Sequence, residues 1–189
     1  MKRKRGSNAD SGEQALYVHQ VESVLGRIEL AQTDRGVCRI RLPGERGSLL
    51  DELVESADTD FEALFGGPEN LRAARQLKEY LAGKRKRFDF KLDIQASGFK
   101  RRALVDGVMK IPYGQTRSYS DVARSIGSPR ACRAVGNANA TNPLPFVIPC
   151  HRVVAAHGIG GYGGGLELKK TLLDLEARNS GRASRSQRR

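Results

Sequence analysis

A pair of short predicted helices separated by a three-residue turn constrains the fold of this chain more than any other sequence feature. The first helix covers residues 118–126, and Gly127-Ser128-Pro129 supplies the turn. The second covers residues 130–140 and is closed by Asn142-Pro143. Helix, turn and helix is the anatomy of a helix-turn-helix, and an ordinary αα-hairpin has the same spacing. The pattern therefore predicts one of these two helical units.

The ends and the composition of the two helices carry further signals. Ser118 followed by Asp121 has the spacing of a capping box, while Ser128 can cap the second helix and Pro129 suits its first turn. The second helix is rich in small residues, namely Ala131, Ala134, Gly136, Ala138 and Ala140. Small side chains let a backbone approach another surface closely, and packing against the protein's own core explains them equally well.

The first half of the chain alternates strand and helix signals. Residues 17–42 alternate apolar and polar stretches around the turn-forming residues 33–36, which predicts strands and a hairpin. Residues 48–56 have helical character, and Pro68–Leu81 carries an apolar stripe at helical spacing. Residues 88–92 alternate apolar and charged side chains, as a half-buried strand would. The pattern predicts a mixed α/β unit.

Helices dominate after Ala96. Residues 99–108 and 166–177 are predicted to be helical. Between them, residues 158–165 hold six glycines, interrupted only by Ile159 and Tyr162. Glycine permits close approach of the backbone to a ligand.

The predicted organisation has four parts, and the fold class is α+β. Residues 1–13 form a disordered basic arm, and residues 14–95 form a small α/β domain. Residues 96–178 form a mainly helical domain with the helix-turn-helix, and residues 179–189 form a disordered basic tail.

The charge of the chain indicates its partners. The 189 residues carry a formal net charge of +12, with basic clusters at residues 84–87 and 100–102 besides those of the arm and the tail. This favours a polyanionic partner, in the first place nucleic acid, although solubility or nuclear import would also explain the tails.

Composition excludes other classes. Apolar residues make up 39% of the chain, no apolar run is long enough to span a bilayer, and no apolar signal core follows the basic N-terminus. We expect a cytoplasmic protein, or a nuclear one if the source is eukaryotic. The three cysteines, Cys38, Cys132 and Cys150, have unrelated spacings and predict no disulfide framework.

One cysteine has chemically active neighbours. Cys150 lies in Ile148-Pro149-Cys150-His151-Arg152-Val153, where an imidazole and a guanidinium follow the thiol. A thiol is nucleophilic as its thiolate, which positive charge or a base favours. Taken alone, a Cys-His pair is more often a buried cysteine beside a surface histidine.

Four blocks of sequence together resemble the O6-alkylguanine-DNA alkyltransferases, also called methylated-DNA–protein-cysteine methyltransferases. The blocks are Ile111-Pro112-Tyr113-Gly114-Gln115-Thr116 with Ser118-Tyr119; Arg133-Ala134-Val135-Gly136; Asn142-Pro143 through Pro149-Cys150-His151-Arg152-Val153; and Gly161-Tyr162-Gly163-Gly164-Gly165-Leu166 with Leu172-Leu173 and Glu176. The resemblance implies a ribonuclease H-like N-terminal domain and a winged helix-turn-helix C-terminal domain.

The resemblance also implies direct repair of damaged DNA. A monomer would bind double-stranded DNA and flip out an O6-alkylguanine, or an O4-alkylthymine, and Cys150 would take the alkyl group in a single irreversible turnover. No cofactor and no metal are implied. In the family a water bridges the cysteine to a histidine, here His151, and a glutamate matching Glu176 orients that histidine. Because adjacent side chains of an extended strand face opposite ways, His151 needs a turn or this water to act on Cys150.

The remaining site residues are carried over from the family's motifs. Tyr119 matches the tyrosine that assists the departing guanine, and Asn142 matches the residue that fixes the turn before the cysteine. Arg133 matches the arginine that fills the gap left by the flipped base. The other residues expected to contact DNA or substrate are Arg130, Ala134, Gly136, Val153, Tyr162, Gly163 and Lys169.

This chain departs from the family pattern in two places that concern substrate range. Many members carry serine at the position of Gly163, and the loop over residues 154–162 is one residue shorter than in some relatives. Cys38 and His19 are isolated, so we expect no zinc site, and we expect Cys132 to serve packing. The competing hypotheses are a non-catalytic lesion-binding protein of the same scaffold and a thiol hydrolase.

Overall fold

The computed structural model describes residues 14–45, 47–56 and 61–180. A four-stranded sheet with two helices forms the N-terminal half, and helices dominate from residue 98 onward. This is the predicted α+β class. The predicted basic arm and residues 181–189 of the predicted tail lie outside the described residues.

The N-terminal sheet has the strand order β3-β2-β1-β4. Its strands are β1 (Gln14–Ser23), β2 (Gly26–Thr33), β3 (Gly36–Arg41) and β4 (Phe61–Phe65). The first three pair antiparallel, with the predicted turn between β2 and β3, whereas β4 pairs parallel to β1. Strands and hairpin are therefore confirmed, and β4 is an edge strand that the sequence pattern did not predict.

Both predicted N-terminal helices are present. They are α1 (Leu49–Ser56) and α2 (Pro68–Leu81). Proline suits the first position of α2 because the amide hydrogen it lacks would have no partner there. Helix α2 packs against the sheet and buries Ala73, Leu77 and Tyr80 completely. The apolar stripe thus predicted the helix, and its buried face only in part, because Leu77 is buried whereas Leu71 is 55% exposed.

The prediction of a strand over residues 88–92 is wrong. This segment forms only an isolated bridge, in which Val37 donates to the carbonyl of Lys91 and accepts from the amide of Asp93. The amides of Asp89 and Lys91 instead donate to side chains of α2, over 3.0 and 2.9 Å. Alternating apolar residues face the core here, but the segment meets β3 at this one bridge and does not continue alongside it.

The second half contains a longer run of helices. It comprises α3 (Gly98–Arg101), a π-helix (Arg102–Gly107), a 3-10 turn (Val108–Lys110), α4 (Tyr119–Ser125), α5 (Cys132–Ala140) and α6 (Leu166–Asn179). The helix predicted over residues 99–108 is thus found, with a π-helical middle. Helix α6 extends two residues past its predicted end.

The helix-turn-helix is formed by α4 and α5, and only the first of its two predicted caps is correct. Ser118 and Asp121 make the capping box at the start of α4. Helix α5 begins at Cys132, after an N-cap position, Ala131, that makes no side-chain bond. Ser128 does not cap α5, because it lies three residues before the N-cap position, in a turn in which its carbonyl accepts the amide of Ala131.

The two halves share one hydrophobic core. The amide of Ile40, on β3, donates to the carbonyl of Pro143 over 2.8 Å. Within the second half, β5 (Arg117–Ser118) pairs parallel with β6 (Val153–Val154). The first contact attaches the N-terminal sheet to the segment before Cys150, and the strand pairing holds the segment after Cys150 beside the start of α4. Among the described residues, no helix has both the length and the apolar character needed to cross a membrane.

Candidate active site

Cys150 lies in a single 3-10 turn, Cys150–Arg152, that follows the buried run ending at Pro149. Its amide donates to the carbonyl of Ile148 over 2.8 Å. The turn removes the extended geometry in which neighbouring side chains would face opposite ways. A turn was one of the two predicted ways for His151 to act on Cys150, besides a bridging water, and the structure contains that turn.

Asn142 holds the thiol in place. Its Nδ2 donates to the carbonyl of Ile148 over 2.8 Å and lies 3.1 Å from the Sγ of Cys150. Its Oδ1 accepts the amide of Leu144 over 3.1 Å. One side chain therefore shapes the turn, as the resemblance implies, and also contacts the sulfur directly.

The resting form of Cys150 is the thiol. Burial raises the pKa of Cys150, and the opposing effects of Asn142 and of the Lys169 charge do not compensate. The neighbouring Arg152 does not supply the positive charge expected from sequence, because its guanidinium is bound to Glu176. A thiolate must therefore be generated by a base.

His151, the predicted base, directly follows Cys150 in the 3-10 turn. It is completely buried, and its Nε2 lies 2.9 Å from Oε1 of Glu176. Burial lowers the pKa of His151 more than the Glu176 carboxylate raises it, which favours the neutral imidazole. Its Nδ1 has no hydrogen-bond partner among the described residues. Glu176 and His151, both predicted, therefore come together as a buried pair.

Arg152 is a member of this site that sequence reasoning did not assign. Its guanidinium reaches both carboxylate oxygens of Glu176, over 2.8 to 3.1 Å, and donates to the carbonyl of Ile111 over 2.7 Å. The amide of Gly114 donates to Oε2 over 2.9 Å. Although burial raises the pKa of Glu176, the bonds from His151 and Arg152 lower it to about 2, so Glu176 is ionised.

A second unassigned residue reaches the site from the N-terminal half. Tyr80, on α2, donates to Oε1 of Glu176 over 2.6 Å, and its hydroxyl lies 3.3 Å from Nε2 of His151. In the sequence Tyr80 lies within α2 next to its apolar stripe, and nothing in the helical pattern distinguishes a hydroxyl with a polar partner. Only tertiary structure brings these residues together.

A cavity of about 300 Å³ opens next to Cys150. It is lined by Tyr119, Gly136, Asn139, Ala140, Cys150, Gly161, Tyr162 and Gly163. Burial and the nearby Cys150 raise the pKa of Tyr119, so its phenol remains protonated at neutral pH. Four of the predicted residues besides Cys150 thus lie around one cavity, and Asn139, Ala140 and Gly161 were not predicted.

Lys169 lies behind the glycine-rich segment. Its Nζ donates to the carbonyls of Val153 and Gly161, over 2.6 and 3.0 Å, and the side chain is fully buried. Burial lowers the pKa of Lys169 to about 8, against an opposing effect of Cys150. The lysine ties the strand after the nucleophile to the cavity wall. Val153 is buried and takes part through its carbonyl.

The remaining predicted residues lie on the helix-turn-helix. Arg133 is exposed on α5 and Arg130 is exposed in the preceding turn, while Ala134 and Gly136 are partly buried. Among the described residues no group of three or more histidine, cysteine or acidic side chains could hold a metal ion. Cys38 is buried and Cys132 is partly exposed.

Comparison with known proteins identifies the family. The profile described as 6-O-methylguanine DNA methyltransferase, ribonuclease-like domain, matches residues 16–94. The profile described as 6-O-methylguanine DNA methyltransferase, DNA binding domain, matches residues 99–178. A methylated-DNA–protein-cysteine methyltransferase of Mycobacterium bovis is 48% identical over 165 residues, covering 85% of this chain and 92% of the relative. One from Methanosarcina acetivorans is 38% identical, covering 85% and 98%.

Solved structures of similar fold indicate the same family as the sequence relatives. The Mycobacterium tuberculosis protein described as OGT in complex with DNA superposes with a TM-score of 0.74 at 34% identity, over 86% of this chain and 94% of that one. The O6-methylguanine-DNA methyltransferase of Pyrococcus kodakaraensis gives a TM-score of 0.63 at 25% identity, over 85% and 98%. This chain belongs to the 6-O-methylguanine DNA methyltransferase family.

Proposed function

We propose that this protein repairs DNA by moving the alkyl group of an O6-alkylguanine to Cys150, one lesion per protein molecule. The observation that carries the proposal is the placement of Sγ beside a cavity of about 300 Å³ and 3.1 Å from Nδ2 of Asn142, one residue before His151, which pairs with Glu176. Nucleophile, base and orienting carboxylate in this order are the arrangement that covalent catalysis requires.

The chemistry follows from the protonation states. His151, neutral and ordered by Glu176, accepts the proton of the Cys150 thiol. The sulfur attacks the alkyl carbon, a carbon–sulfur bond forms, and the carbon–O6 bond breaks with its electron pair moving to the guanine. The Tyr119 phenol, protonated at neutral pH, donates a hydrogen bond to the departing base. The product is a thioether, which thiol exchange cannot reverse.

The proposed partner is double-stranded DNA, bound by a monomer. Cys150 is only 7% exposed, so a base stacked in a duplex cannot reach it and must be flipped out. Helix α5 presents small residues, Ala134 and Gly136, together with the exposed Arg133. This combination suits close approach to a minor groove, with the arginine occupying the gap left by the base. O4-alkylthymine is a further substrate by the same chemistry.

The test uses the whole protein and a duplex oligonucleotide that carries one O6-methylguanine. Intact-mass and peptide analysis should show the gain of one methyl group on Cys150 and no further gain with excess oligonucleotide. Cys150→Ala should gain nothing, whereas the matched variant Cys132→Ser should react like the unmodified protein. Methylation elsewhere, repeated turnover, or reaction in Cys150→Ala would contradict the proposal.

A further inference from the structure

Tyr80 joins the N-terminal half of the molecule to the reactive centre. It is the largest side chain buried to less than 2% exposure, and its ring packs against Phe88, Tyr113 and Phe146. Its hydroxyl emerges from this aromatic cluster between His151 and Glu176. A phenylalanine would fill the same space, so packing alone does not explain the hydroxyl.

We propose that Tyr80 is a positioning residue of the alkyl-transfer site: its hydroxyl holds the Glu176 carboxylate and keeps His151 in the neutral form protonated at Nε2. The role in catalysis rests on the proposed function of Cys150. The state of the imidazole, however, can be measured without any transfer reaction.

The hydrogen-bond distances define the tautomer. Tyr80 has one hydroxyl hydrogen, and the 2.6 Å contact assigns it to Oε1 of Glu176. The same oxygen lies 2.9 Å from Nε2 of His151. An ionised carboxylate only accepts hydrogen bonds, so Nε2 must carry a hydrogen. The lone pair of the neutral imidazole is then at Nδ1, which has no partner among the described residues and is free to accept the thiol proton.

Tyr80 also affects the charge of the imidazole. The groups that face His151 are Glu176, which favours the imidazolium, and Arg152 and Lys169, which oppose it together with burial. The hydroxyl of Tyr80 lies 3.3 Å from Nε2, and the ring of Tyr162 packs edge-on against the imidazole. By donating to Oε1, Tyr80 partly neutralises the carboxylate oxygen that faces the imidazole. An imidazolium could not accept the thiol proton, so this hydrogen bond protects the reactive form.

The experiment is a titration of the histidine side chains by nitrogen-15 NMR, in the full-length protein and in Tyr80→Phe. The chain has three histidines, and the signal of His151 is assigned by its loss in His151→Gln. We expect the neutral Nε2-protonated form in the unmodified protein near neutral pH. In Tyr80→Phe, protonation should begin about one pH unit higher, because one hydrogen bond to a charged group has about that effect.

The matched control is Tyr113→Phe. Tyr113 belongs to the same aromatic cluster, but its hydroxyl makes no hydrogen bond to Glu176 or His151. This variant should leave the His151 titration unchanged. The acidic limb of the single-turnover rate should move with the imidazole pKa in Tyr80→Phe and stay in place in Tyr113→Phe. An unchanged titration, a shift to lower pH, or equal shifts in both variants would overturn the proposal, whether or not Cys150 accepts alkyl groups.

Discussion

Two buried carboxylates, Asp93 and Glu176, each collect hydrogen bonds from distant parts of the chain, yet only one adjoins a reactive group. Asp93 accepts from Thr33 over 2.8 Å and from Arg35 over 3.1 Å, and it secures the segment between the two halves to the β2–β3 turn. Glu176 accepts from Tyr80, His151, Arg152 and Gly114. Both carboxylates therefore hold distant segments together, and Glu176 also binds the imidazole of His151.

The difference lies in which donors each carboxylate receives. The donors to Asp93 are a hydroxyl, an amide side chain and a guanidinium that is 68% exposed. Glu176 instead pairs with a fully buried imidazole next to the thiol, and its guanidinium partner is buried as well. Loss of either carboxylate should therefore weaken the fold, but only loss of Glu176 should alter the chemistry.

The largest effect is expected when each carboxylate is replaced in turn by the corresponding amide, in two separate variants. Glu176→Gln leaves Arg152 without its charge partner, and it replaces one acceptor oxygen by an NH₂ group that faces donors. We expect a loss of about 3–5 kcal/mol of stability and a fall in the transfer rate on the order of 100-fold or more. Asp93→Asn should cost about 1–2 kcal/mol and leave the rate per folded molecule unchanged.

Denaturant unfolding gives the stabilities of these variants, and single-turnover methyl transfer, corrected for the folded fraction, gives the rates. The comparison between the two carboxylates fails if Asp93→Asn slows the folded protein as much as Glu176→Gln does.

A second pair of residues, both buried or partly buried asparagines, sharpens the same contrast. Asn142 contacts the sulfur, whereas Asn70 donates to the carbonyl of Tyr17 over 2.8 Å at the start of α2. Both alanine variants should lose about 1–3 kcal/mol, because each leaves a backbone carbonyl without its donor. Asn142→Ala should also slow transfer about tenfold, since it removes a hydrogen bond that favours the thiolate.

Asn70→Ala should react at the original rate per folded molecule. Equal rates for the two variants in the same single-turnover assay would show that the contact between Asn142 and the sulfur does not matter for reactivity.

The sequence predicted those parts of the site that lie within local motifs. Cys150, His151 and Asn142 fall within one short stretch, whereas Glu176, on α6, was assigned only through the family resemblance. Tyr80 could not be assigned, because it lies 71 residues from His151 and 96 from Glu176. Its role exists only once α2 packs against the second half.

The same limit explains the errors in the fold. Residues 88–92 have the alternation of a strand, but whether such a segment pairs depends on a neighbour that the pattern does not reveal. Ser128 and Pro129 have the residue types of a helix start, yet they lie in a turn and α5 begins only at Cys132. Local signals therefore located the helices well and located strand pairing and one cap poorly.

The smallest effect concerns two glycines of the cavity segment. A Cβ added at Gly163 meets nothing within 4 Å, and its φ lies outside the left-handed region. Gly160 has a φ of +71°, and a Cβ there would lie 3.0 Å from the amide nitrogen of Ala155 and 3.3 Å from the Tyr119 ring. Gly163→Ser should change stability by about 0.5 kcal/mol or less, whereas Gly160→Ser should cost about 1–3 kcal/mol.

Gly163→Ser also introduces the residue that the family resemblance leads us to expect here, and it adds a hydroxyl to the cavity wall next to Cys150. The ratio of single-turnover rates on methylguanine and benzylguanine oligonucleotides measures its effect on substrate range. Because the new side chain takes up space in a cavity of about 300 Å³, the benzyl group should lose rate relative to methyl, by about threefold or less. A rise in the relative benzyl rate, or a large loss of stability, would contradict the conclusion that a side chain at position 163 has free space and points toward the cavity.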